Sequence, residues 1–71
     1  MSFSTEEATT AAIAAWRTEP PLAQRKEIQL AIESLELSQM YYEQKGNDQG
    51  IARADRCIAL LRARLSELAG A

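Results

Sequence analysis

Seventy-one residues carry ten acids against eight bases, a net charge of −2. That length makes one domain with a small core, and that charge argues against general binding to nucleic acid or to a membrane surface. One cysteine, Cys57, and no histidine exclude an intrachain disulfide and a zinc site of Cys and His ligands, so of the usual supports for so short a chain only a partner subunit stays open.

Thirteen alanines, eight leucines and no valine make a helix composition, because Ala and Leu lose little on entering a helix while β-branched residues lose more. No positively charged start leads into an apolar run, so a secretory leader is not expected. No stretch approaches the roughly 18 apolar residues of a membrane span. These features predict a reducing, cytoplasmic setting, with Cys57 as a small buried apolar residue. Residues 1–47 carry seven acids and four bases, and residues 48–71 three acids and four arginines. The acidic part can therefore attract the basic part, within one molecule or across two.

Ser4-Thr5-Glu6-Glu7 has the form of a capping box, with Ser4 as the cap and Glu7 reaching back to its amide. The helix it opens is expected over residues 5–17 and must stop before Pro20 and Pro21, which disfavour helical geometry at the residues preceding them. Pro21 suits a first helical position. From there no breaker occurs until Gly46, so a second helix is expected over 21–45, roughly 37 Å long at 1.5 Å per residue. Gly46 can take the left-handed conformation that closes a helix. Asn47 or Asp48 then caps a third, expected over 48–69.

The stretch YYEQKGNDQG, residues 41–50, thus reads as a tight corner, and short connections join antiparallel neighbours. A turn near Asn47 sets Tyr42 close to Ala52, Leu35 to Ile58, Ile32 to Leu61 and Ile28 to Leu65. The corner resembles the helix–turn–helix unit of tetratricopeptide repeats, where a tyrosine-bearing helix runs into Gly and a polar cap. A solenoid needs about three stacked units, and the residues before 21 do not repeat the hairpin, so no array is expected. In size and outline the hairpin also resembles small assembly chaperones, without a motif that matches residue by residue. The fold class expected is all-α: a long antiparallel hairpin and a shorter N-terminal helix in one domain, residues 1–71, completing a bundle by dimerisation.

The third helix has one apolar stripe at 100° per residue: Ile51, Ala54, Ile58, Leu61, Leu65 and Leu68, with Cys57 at its edge. Its opposite side carries Arg53, Arg56 and Arg64, with Leu60 among them. The second helix has two stripes. Ile28, Ala31, Ile32, Leu35 and Tyr42 form one; Leu30, Leu37 and Tyr41 form another on the far side. Such a helix calls for a neighbour on each side. One is the third helix. The other is the first helix, a second subunit or a foreign partner. Folding back from the Pro20-Pro21 corner, the first helix spans only about 20 Å. It can cover Leu22 and Leu30 and falls short of Tyr41. A patch at Leu37, Met40 and Tyr41, extended by Leu60, is then left over, and contiguous apolar surface on a small protein marks an interaction site.

Catalytic chemistry finds no support. No imidazole base, nucleophile elbow, Ser-x-x-Lys pattern or phosphate-binding Gly-rich loop occurs. Glu6/Glu7 and Glu33/Glu36 read as solvated helix faces, and no cofactor is implied. Trp16 reads as a core residue closing the first helix onto the hairpin, or as an anchor into a partner. The expectation is a non-enzymatic helical interaction module of adaptor or assembly-chaperone type. It forms a homo-oligomer, most simply a dimer, through Leu30, Leu37, Met40, Tyr41, Leu60 and Trp16, and is able to take a helix of another protein. The alternative is a small nucleic-acid-binding or regulatory protein using Arg53, Arg56 and Arg64. Net negative charge and the lack of a recognition helix count against it.

Overall fold

The computed structural model describes residues 5–70, and they form three helices: α1 (Glu6–Trp16), α2 (Pro21–Lys45) and α3 (Asp48–Ala69). The bounds of α2 and α3 are those the breakers and caps predict. α1 begins one residue later and ends one earlier than expected. Its cap is Thr5, whose Oγ1 accepts from the Ala8 amide at 3.0 Å; the predicted cap, Ser4, lies outside the described residues. The hydroxyl of the fully buried Thr9 donates to the Thr5 carbonyl at 3.0 Å, so no polar atom is stranded there. The Glu19 amide donates to the Trp16 carbonyl at 2.9 Å and tightens the exit before the prolines.

The corner at 41–50 resolves into two linked caps. Gly46 stands at φ 68°, the Asn47 amide donates to the Tyr42 carbonyl at 2.8 Å and the Gly46 amide to the Glu43 carbonyl at 3.2 Å. That pair of bonds closes α2 in a Schellman motif. Asn47 Oδ1 then accepts from the Gly50 amide at 2.9 Å and opens α3. Two residues, Gly46 and Asn47, therefore satisfy both helix ends and reverse the chain.

α2 and α3 pack side by side and antiparallel, in a body 39 × 18 × 15 Å along its principal axes. The register is close to the predicted one. Arg25 Nη2 donates to the Leu68 carbonyl at 3.1 Å, Glu36 pairs with Arg62, and Gln39 binds the Ile51 carbonyl and the Asp55 carboxylate. Arg25 also places a cation at the C-terminal end of α3, where the helix dipole favours it. Ile28, Ala31, Ile32 and Leu35 of α2 meet Ala54, Cys57, Ile58, Leu61 and Leu68 of α3, and Ala12 and Trp16 of α1 complete the cluster.

The position of α1 departs from expectation. It packs on α3 rather than folding back along the outer stripe of α2. Thus α3, not α2, has a neighbour on two sides. Two features explain the choice. The inward residues of α1 include Thr9 and Ala12, small side chains that need a close and shallow seat. The side of α3 carrying Leu60, Ala63 and Arg64 takes them, beside Ile13 and Ala14. Gln24 also steers the corner. It is 4% exposed, its Nε2 donates to the Glu19 carbonyl at 2.7 Å, and its Oε1 accepts from Arg64 Nη2 at 3.1 Å. This clip ties the α1–α2 connection to α3. Cys57, placed by the sequence at the edge of one stripe, is fully buried because helices cover α3 on both of its sides. Among the described residues, no helix is long and apolar enough to cross a membrane.

Candidate interaction surface

The large apolar side chains most exposed among the described residues are Leu22, Leu30, Leu37, Met40 and Tyr41, from 54% for Leu30 to 78% for Leu22. All five lie on α2. At 100° per residue they fall within an arc of about 100°, opposite the stripe that meets α3. The strip runs most of the helix, roughly 28 Å from Leu22 to Tyr41 at 1.5 Å per residue. Because α1 docks elsewhere, no other helix among the described residues packs along it. The leftover patch is accordingly longer than the sequence implied: Leu22, expected under α1, is exposed together with Leu30, Leu37, Met40 and Tyr41.

The strip is not uniformly apolar. Lys26 and Glu33 sit within the same arc, both exposed, and neither forms an ion pair among the described residues. Glu36, off the arc, reaches Arg62 on α3 at 3.8 Å. At the C-terminal end the Tyr41 ring meets the Tyr42 ring edge-on, centroids 6.0 Å apart, and Lys45 Nζ stands 5.7 Å from the Tyr41 centroid. These contacts hold the Tyr41 ring in place while leaving it half exposed. At the N-terminal end Pro20, Leu22, Ala23, Lys26 and Gln29 line a shallow, mostly apolar hollow.

Two other residues assigned to the surface lie elsewhere. Trp16 is 8% exposed and part of the core cluster. Leu60 is partly buried in the groove between α1 and α3, with Ile13 and Ala14 beside it. The core reading of Trp16 holds over the anchor reading, while Leu60 was assigned from its place on the wheel of a single helix. The seat of α1 across α3 removes them from the face.

The arginine row on α3 is likewise the side where α1 docks. Arg56 pairs with Glu6 of α1. Arg64, its side chain 13% exposed, donates to Gln24 and lies 3.7 Å from Glu67. Its Nε is buried without a hydrogen-bond partner among the described residues. Arg53 is partly buried. Arg56 and Arg64 are thus engaged within the chain, and the row is not an open strip of cations.

Gln24, Thr9 and Gln39 escaped the sequence reading, as did the packing of Gly50, and each fixes geometry. Gly50 is buried under Tyr42: a Cβ built there would stand 2.7 Å from Tyr42 Cγ and under 3.0 Å from two further ring atoms. The only prior sign was a glycine eight positions beyond a tyrosine across a tight turn. No family model, curated protein or solved structure matches the chain.

Proposed function

We propose that this chain is a non-enzymatic helical interaction module, self-associating through the outer face of α2 and able to seat a helix of another protein on the same face. One observation carries the reading: the five most exposed large apolar residues share one face of one helix. Scattered singly they would need no explanation; gathered along one face of so small a body they mark a contact surface. A helix laid along the strip would engage it by the spacing of its anchors.

Magnitudes indicate how tight such an association is. Full burial of a Leu-, Met- or Phe-sized side chain contributes about 1.5–3 kcal/mol. The five are already roughly half covered, so a symmetric pair gains on the order of 10 kcal/mol gross. Association costs about 4–15 kcal/mol in lost freedom. The two are of one size, so the complex is concentration-dependent. The chain also closes its own core, with Ile28, Cys57 and Leu61 fully buried, so the outer face of α2 is not needed to complete it.

Sedimentation across the micromolar range, with circular dichroism alongside, tests the proposal. The mass should rise from one chain to two with concentration. Leu37→Glu should hold it at one chain without loss of helicity. A parent chain that stays monomeric throughout, or a dimer indifferent to Leu37→Glu and Tyr41→Glu, rules the reading out.

A further inference from the structure

The outer strip of α2 has a polarity, and the polarity selects its occupant. Lys26, Leu30, Glu33, Leu37 and Met40 recur at alternating steps of four and three, the 3.5-residue spacing of a two-helix seam. Two of those five seam positions are charged, with opposite signs and seven residues apart. Both charges are exposed, and neither has an ion-pair partner among the described residues. A seam of this kind opposes itself if two copies lie parallel in register. Lys26 would then face a second Lys26, and Glu33 a second Glu33, at positions where like charges destabilise the pairing.

The antiparallel arrangement reverses this. We infer that the occupant of the face is a second copy of this chain, its α2 antiparallel to the first, about a two-fold axis at the height of Leu30. Such an interface is self-complementary, as a two-fold one must be. Leu30 meets its own symmetry mate. Lys26 comes within about one residue's rise, roughly 1.5 Å along the axis, of the partner's Glu33, and the contact occurs twice. Leu37 lies opposite the partner's Ala23. Met40 and Tyr41 arrive at the hollow lined by Pro20, Leu22 and Ala23, which a parallel pair in register leaves unfilled. One axis position therefore pairs both unpartnered charges, fills the hollow and covers the exposed leucines. This inference rests on the outer face of α2 being an association surface and adds the partner, the direction and the axis.

Charge reversal and cross-linking test the direction separately from the association. Lys26→Glu alone and Glu33→Lys alone should each weaken the dimer about ten-fold, since each turns two attractive pairs into two repulsive ones. The double exchange should restore it. In a parallel dimer each single change merely swaps one like-charge contact for another, and the double exchange restores nothing. For cross-linking, Cys57 is buried, so introduced thiols report alone. Leu30→Cys should form a disulfide-linked dimer, and Gln44→Cys should not, because antiparallel copies place the two Gln44 positions at opposite ends. Ready cross-linking of Gln44→Cys, or single reversals without effect on a dimer that Leu37→Glu still dissociates, overturns the antiparallel pairing while leaving the association surface standing. A chain that never dimerises overturns both.

Discussion

At the scale of single residues, Gly50 packs closely against the Tyr42 ring. A methyl group there would overlap the root of the ring, which cannot swing aside as a flexible chain end could. Gly50→Ala gains about 0.5–1 kcal/mol of helix propensity and loses about 1–3 kcal/mol to overpacking. The expected net is a loss of about 1 kcal/mol, read as a lower urea midpoint at unchanged slope. In a Tyr42→Ala background the same change should become neutral or favourable, since the coupling resides in that contact. A Gly50→Ala chain as stable as its parent would show that the ring does not rest on the glycine. Gln24 makes the complementary case for a buried polar group. Gln24→Ala leaves Arg64 without its amide acceptor and the Glu19 carbonyl without its side-chain donor, and should cost about 1–3 kcal/mol. The exposed Glu6–Arg56 pair, each side chain more than half accessible, should be worth about 0–1 kcal/mol at most.

At the scale of elements, the seat of α1 is the feature most open to test. The helix is short, and its inward residues are small apart from Ile13 and Trp16. Helices of this length are marginal in isolation, so α1 holds its shape through contact with α3. Trp16, at 8% exposure, is the largest group in that contact. Trp16→Ala should cost about 3–5 kcal/mol and raise hydrogen exchange in residues 6–16 more than in α2. A variant that loses stability evenly, with α1 still as protected as α2, would mean that α1 and the hairpin form one cooperative unit. The hairpin itself rests on stronger local terms. A Schellman cap, an Asn cap and a long apolar seam agree at every level, the consistency that makes a sequence specify a structure.

At the scale of the whole molecule, the three helices of the described residues close one core and leave one long, largely apolar face of α2 exposed. The intramolecular core does not depend on that face, so charge placed on it should separate association from folding. Leu37→Glu is therefore expected to change thermal stability at low concentration by less than about 0.5 kcal/mol, the usual range for surface substitutions. A large loss would place Leu37 in the fold itself. Stability of the parent chain should rise with concentration by mass action, because a partner that binds only the folded form stabilises it.

The helices, their bounds to within a residue, the corner at Gly46 and Asn47, and the inner stripes of α2 and α3 were legible in the sequence. Each is a local matter. Prolines, a left-handed glycine, cap residues and a 100° period act within a few residues of themselves. The second stripe of α2 was legible for the same reason. What covers it was not, and neither was the docking of α1 on α3. A helical wheel shows which side of a helix is apolar but not which of two apolar sides a third helix will choose. In the fold, α1 buries Thr9, Ala12 and Trp16, and Gln24 is clipped to Arg64 across the corner. Both are contacts between residues far apart in the chain, and only folding brings them together. The same contacts withdrew Trp16 and Leu60 from the surface and left the face of α2 open along nearly its full length.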